Sequence, residues 1–230
     1  MKKIAIFVEG HTEQAFITKL ISEILTRNTY SITSVEFSGP KKARRIAIIN
    51  ASTIDSNHSY YFMIYNCRSD SSVKSDIIEQ YSNLVAASYN AIIGIRDVFP
   101  NVDIEKLRKY ILFGFPKILK ISINIILAVM EIESWFIAEE NHYANINPKL
   151  NRQIAEGYIG FDILTTSSEA IHHPAEILNN IYHHVNYAYK KKAKQIQRTV
   201  DAIDYSNLYC AVRNRNNSLN EFLVAFESVL

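Results

Sequence analysis

Glu9, Asp70, Asp97 and the pair Glu131/Glu133 each follow a run of apolar, largely β-branched residues. In an open parallel sheet, ligands bind outside the C-terminal ends of the strands. Acids delivered by four such ends therefore make one candidate site. A single acid at a strand end is ordinarily just solvated; four together are harder to dismiss. Two carboxylates about 4 Å apart repel by roughly 4 kcal/mol at an effective dielectric near 20. Three in a cluster need shared protons or a cation between them. Hard oxygen donors of this kind suit Mg²⁺ or Mn²⁺ rather than zinc. The expected ligands are Glu9, Asp97 and Glu133, with Asp70 and Glu131 as further candidates. Glu131 and Glu133, two apart, would share one face of a strand; Glu133, nearer the strand end, is the expected ligand and its neighbour the supporting group.

These acids need a scaffold. Residues 3–8 read as a buried strand, Glu9-Gly10-His11 as a tight turn, Thr12 as the N-cap and Glu13 as the opening of a helix. Further strands are expected at 31–37, 60–65, 91–95 and 121–129, and helices at 75–89, 104–115 and from 134. Residues 47–51 fit strand or helix. Strands that alternate with helices to about residue 140 imply a mostly parallel sheet covered on both faces. Beyond residue 145 the strand signals stop. Residues 148–155, 175–185, 187–200, 205–214 and 219–230 read as helices. The expected organisation is an α/β domain over 1–140 with a helical region, 141–230, packed on it.

Three segments carry a resemblance. Val8-Glu9-Gly10-His11-Thr12-Glu13 is similar to the V-E-G-x-T-E start of Toprim domains of the overcoming-lysogenization-defect (OLD) nuclease type. Gly94-Ile95-Arg96-Asp97-Val98-Phe99-Pro100 resembles their later strand-end Asp motif. Met130-Glu131-Ile132-Glu133-Ser134-Trp135 resembles the E-x-E-x-W segment of an uncharacterised bacterial Toprim-like family. His173-Pro174, Tyr189-Lys190-Lys191, Arg198-Thr199 and Asp204-Tyr205 extend the likeness over nearly the whole chain. The pattern departs at Asp97-Val98-Phe99, where Toprim proteins usually show Asp-x-Asp; Asp70 or Glu131 is the expected substitute. The resemblance implies a Toprim/Rossmann-like fold and metal-dependent phosphodiester hydrolysis of DNA or RNA. It implies Glu9 as ligand or general base, and a lysine beyond the acidic strands, Lys190 or Lys191, in the chemistry. It also implies a separate ATPase of the ABC type as partner in phage defence.

Two basic runs offer phosphate contacts: Lys41, Lys42, Arg44 and Arg45; and Lys190, Lys191, Lys194 and Arg198, which would share one side of a helix. Short runs like these are more often ordinary surface charge. His172, His173, His183 and His184 are expected on the surface, since nothing pairs them with cysteines at ligand spacing. His11, beside Glu9, has phosphate contact as the less expected of its two readings.

Composition sets the limits. The chain has 230 residues, is 48% hydrophobic and 21% charged, and has a net charge of +2, too small to name a polyanionic partner. Two lone cysteines, Cys67 and Cys210, fit a reducing cytosol and exclude a zinc module. No apolar run is long enough for a membrane span, and the opening apolar stretch is too short for a secretory signal. A cytoplasmic protein, with homo-oligomerisation open, is expected. The Walker A pattern is absent, which excludes ATP hydrolysis by a P-loop. The competing reading is a non-catalytic nucleic-acid-binding or adaptor protein on a degenerate Toprim fold.

Overall fold

The computed structural model describes the chain apart from residues 27–28, 40–43, 70–71, 99–102 and 117. The fold is α/β and Rossmann-like. Six strands, β1 (Lys2–Val8), β2 (Tyr30–Ser38), β3 (Arg45–Ala51), β4 (Tyr60–Asn66), β5 (Ala91–Val98) and β6 (Ser122–Val129), form one sheet in the order β3-β2-β4-β1-β5-β6. β1 pairs in parallel with β4 and β5, and β2 in parallel with β4. β3, ambiguous in sequence, is a strand antiparallel to β2. The chain separates into two compact units. One is Met1–Arg96, Val102–Leu127 and Val224–Leu230; the other is Asp97–Asn101 with Ala128–Leu223. This grouping differs from a division at 140/141: Asp97–Asn101 group with the second unit and Val224–Leu230 with the first.

In the first unit the sheet is hydrophobic on both faces, as parallel strands must be when both are covered. Ile4 to Val8 are all fully buried. On one face Phe7 stacks on Tyr65 at 4.4 Å, and Val73, Ile77, Tyr81 and Leu84 of helix α2 (Val73–Ala86) complete the cluster. Each such side chain contributes about 1.5–3 kcal/mol on full burial. On the other face Phe226, from the returning C-terminal segment, stacks on Phe62 at 5.9 Å. The Leu230 carbonyl accepts hydrogen bonds from Lys2 Nζ (2.9 Å) and Tyr60 Oη (2.6 Å). Those bonds explain why the last residues pack with the first unit.

Gly94 on β5 marks a close approach. A Cβ there would lie 2.9 Å from Ile77 Cδ1, 3.2 Å from Ile125 Cγ1 and 3.3 Å from Val73 Cγ1. Gly94→Ala is expected to cost about 1–3 kcal/mol through overpacking and to lower the melting temperature measured by circular dichroism. An unchanged melting temperature would mean the layer has slack there.

The second unit is helical: α4 (Glu133–Ala138), α5 (Asn141–Ile146), α6 (Arg152–Ile159), α7 (Pro174–His183), α8 (Ala193–Ala202) and α9 (Tyr205–Cys210), with most of α10 (Asn217–Glu227). Trp135 and Phe136 are fully buried, and the Trp135 indole donates to Ser218 Oγ at 2.9 Å. Glu139 is wholly buried but accepts from four donors: the Asn141, His142 and Asp204 N–H groups and Asn207 Nδ2. Burial pushes its carboxyl up, and those four donors oppose the shift. His142, equally buried, is pushed down to about 4 and stays neutral at pH 7.

Three expectations at element level are corrected. The helix expected at 148–155 is α6, capped by Asn151, whose side chain accepts from the Ile154 N–H, and closed by Gly160 at φ +90. The single helix expected over 187–200 is α8 alone, because Lys191 at φ +50 is incompatible with a right-handed helix. In place of Thr12, Gly10 caps helix α1 (His11–Ile24), and its N–H donates to Glu13 Oε2 at 2.9 Å.

Candidate metal centre

Among the described residues, Asp97, Glu131 and Glu133 bring their carboxylates together, with one oxygen from each within 4.8 Å of the others. All three belong to the second unit. Asp97 stands near the end of β5. The other two are not on a strand, which corrects the shared-face expectation. β6 ends at Val129, and Met130 at φ +66 turns the chain out of the sheet. Glu131 lies in that turn, and Glu133 is the first residue of α4. The turn, rather than strand alternation, aims both acids at Asp97.

The surrounding groups hold the acids in place. The Ile132 N–H donates to Asp97 Oδ1 at 3.2 Å, and the Ala175 N–H, in the first turn of α7, to Glu131 Oε2 at 3.2 Å. Tyr189 Oη donates to Glu133 Oε1 at 2.8 Å. Lys191 Nζ lies 3.1 Å from Glu131 Oε1 and 3.2 Å from Glu133 Oε1. Glu133 is completely buried, and its Oε2 has no hydrogen-bond partner. Burial pushes the Glu133 carboxyl up; Lys191 and Tyr189 oppose the shift and Glu131 adds to it. Lys191 is thus shared between Glu131 and Glu133.

The backbone around the site is strained. Met130, His173 (φ +52, the residue before α7) and Lys191 all adopt left-handed conformations without being glycine. Each costs about 1 kcal/mol or more and persists only where its surroundings impose it. All three flank groups that bind the acids or are the acids' own neighbours. The loop carrying Tyr189 and Lys191 is held by the Tyr189 N–H donating to Asn179 Oδ1 (2.9 Å) and by the Lys190 N–H donating to Gln195 Oε1 (2.6 Å). Arg198 anchors it too: its guanidinium donates to the Ala188 carbonyl at 2.6 Å and lies 4.5 Å from the Tyr187 ring centroid.

Glu9 is buried at the end of β1 in the first unit. Asp70, Lys41 and Lys42 lie outside the described residues. Arg44 turns inward, pairs with Asp76, donates to the Cys67 carbonyl at 2.8 Å and covers Phe37, so its guanidinium is committed to the core of the first unit. Arg45 begins the exposed strand β3. Of the second run, Lys191 sits on the acids, while Lys190 and Lys194 are exposed and Arg198 is half-buried against its loop. These four do not share a helical face. His172, His183 and His184 are exposed, as expected. His11 opens α1, with Nδ1 3.3 Å from Asn66 Nδ2 and Nε2 3.7 Å from Glu36 Oε1. Ala175, whose N–H fixes Glu131, is found only in three dimensions; the adjoining His173-Pro174 was its one trace in the sequence.

Comparison with protein-family models, with curated proteins and with solved structures gives no match. Fold and site thus define the protein only as an α/β, Rossmann-like chain with an acidic cluster and a lysine in its second unit. No helix among the described residues is long and apolar enough to cross a membrane.

Proposed function

We propose that Asp97, Glu131 and Glu133 hold one Mg²⁺ or Mn²⁺ ion and that the protein is a metal-dependent phosphodiesterase acting on DNA or RNA. The observation that carries this reading is the buried, partnerless Glu133 Oε2 within a cluster of three carboxylates. A buried carboxylate crowded by two others, with one oxygen lacking a hydrogen-bond partner, is expensive to maintain, and a cation is its natural complement. The donor set is all hard oxygen, which fits these two ions. A cation so held supplies Lewis-acid activation of water and phosphate. The protein's own groups do the rest. Ile132 and Ala175 fix the ligand carboxylates through their N–H groups, Tyr189 orients Glu133, and Lys191 offers an ammonium to an incoming phosphate. Exposed Lys190 and Lys194 extend positive charge along the same segment. The likeness of the Glu9 and Asp97 segments to Toprim domains of the OLD nuclease type, and of the Glu131–Glu133 segment to a Toprim-like family, directs the choice of phosphodiester.

A second reading is favoured by one observation, the position of Lys191. An ammonium on two of the three carboxylates can serve as a structural ion-pair network that pins the 187–192 loop. Incubating the protein with plasmid DNA and transfer RNA, in Mn²⁺ and in EDTA, separates the two. Mn²⁺-dependent cleavage that Glu133→Gln abolishes is the expected result. Absence of cleavage on both substrates would leave the structural network as the better reading.

A further inference from the structure

Strand β3 is the outer edge of the sheet, paired on one side only, with β2. All seven of its residues are exposed, so among the described residues nothing covers either face of this strand. Ile46, Ile48 and Ile49 are 44%, 68% and 55% exposed. From Ile46 to Ile54 the sequence, Ile-Ala-Ile-Ile-Asn-Ala-Ser-Thr-Ile, contains no charge, no proline and no glycine. Edge strands are normally protected by lysine, proline, short length or a covering element. Here the one irregularity is the register shift opposite Ser34/Val35, which leaves Ile49 unpaired. That bulge adds twist but no charge. An uncharged, isoleucine-rich segment on an open sheet edge is the kind that aggregates unless something pairs with it.

We propose that β3 pairs antiparallel with β3 of a second copy of this chain, about a two-fold axis at Ile48, joining two sheets into one. A second copy fits because two identical edges satisfy each other's N–H and C=O groups in the isologous arrangement usual for dimers. Charge fits as well. The only charged residue of β3 is Arg45, at its first position. In this register Arg45 faces Ala51 of the other copy, and the two guanidinium groups stand at opposite ends, about 20 Å apart by strand rise. The uncharged isoleucines meet at the centre. Pairing of two seven-residue strands falls at or below the roughly 1,000 Å² expected of a stable interface, so the dimer dissociates in the micromolar range. This inference does not depend on the metal centre.

Sedimentation velocity of the full chain in EDTA, from about 1 to 200 μM as the micromolar range requires, tests it. A concentration-dependent dimer is expected, and Ile48→Lys should leave monomer throughout with an unchanged melting temperature, since Ile48 is mostly solvent-exposed. In a Cys210→Ser background, Ile48→Cys should form an intermolecular disulfide on mild oxidation, and Arg45→Cys should not. A monomer at every concentration, a dimer that survives Ile48→Lys, open-ended polymers, or equal cross-linking at positions 45 and 48 would each overturn the pairing.

Discussion

Replacing Glu133 by Gln is expected to raise the melting temperature of the metal-free protein by about 2–4 °C, on the order of 1 kcal/mol for a chain of this size. Glu133 is completely buried, one of its oxygens has no partner, and burial disfavours its charged form. Glutamine keeps the acceptor for Tyr189 Oη and removes the like-charge repulsion from Glu131 and Asp97. The pH dependence follows from the direction of the shift. The native carboxyl titrates above its unfolded value, near 4.5, so the folded state holds its proton more tightly than the unfolded one. The wild-type penalty is therefore absent below that value and develops as pH rises through it toward the native one. The advantage of Glu133→Gln should grow as the pH rises from about 4 through the native value and vanish as the pH falls to about 4. Added Mn²⁺ should reverse the order. A cation that binds only the native wild-type cluster stabilises it by about 2.7 kcal/mol at a hundred times its dissociation constant. Thermal melts from pH 4 to 8, with and without Mn²⁺, check both signs. A mutant that melts lower than wild type under all conditions would make Glu133 a structural residue.

Lys191→Met is expected to do the opposite to the metal-free protein and to tighten the metal site. Lys191 Nζ stands on Glu131 Oε1 and Glu133 Oε1 and takes the place a cation's charge would fill. Its side chain is 41% exposed, so solvent screens the pair and its contribution is discounted to about 1 kcal/mol. A fall of about 2–4 °C in EDTA follows. Methionine matches lysine in length and suffers the same left-handed backbone at φ +50, so the substitution isolates the charge. With the competing ammonium gone, Mn²⁺ should bind about tenfold more tightly, equivalent to about 1.4 kcal/mol. Its stabilising effect on the variant should exceed that on wild type, while cleavage falls because phosphate loses its ammonium partner. Calorimetric titration of both proteins reads the affinity. Equal affinity would show that Lys191 and the ion do not compete.

The sequence made some of this legible and hid the rest for physical reasons. The buried run before Glu9, the strands ending near Asp97 and at Val129, and the amphipathic helices all follow from periodicity, and the sheet forms much as read. Asp97 and Glu133 stand out in the sequence by following apolar, strand-like runs. The route that brings Glu131 and Glu133 to Asp97 was not legible, because it depends on Met130 adopting a left-handed conformation. Nothing in the residue type of Met130 signals that. Lys190 and Lys191 read as neighbours on one helix. The left-handed backbone of Lys191 itself breaks that helix, sending its side chain to the acids and leaving Lys190 in solvent. Arg44 reads as surface charge because its partner, Asp76, is distant in sequence. Tertiary pairing overrides local composition in each case.

The most direct test of the metal centre is calorimetric titration of Mn²⁺ into the metal-free wild-type protein and into Asp97→Asn, Glu131→Gln and Glu133→Gln at pH 7.5. The expected result is one site in the wild type, with affinity reduced at least tenfold in each variant. Absence of binding to the wild type, or binding that all three variants retain, would contradict it.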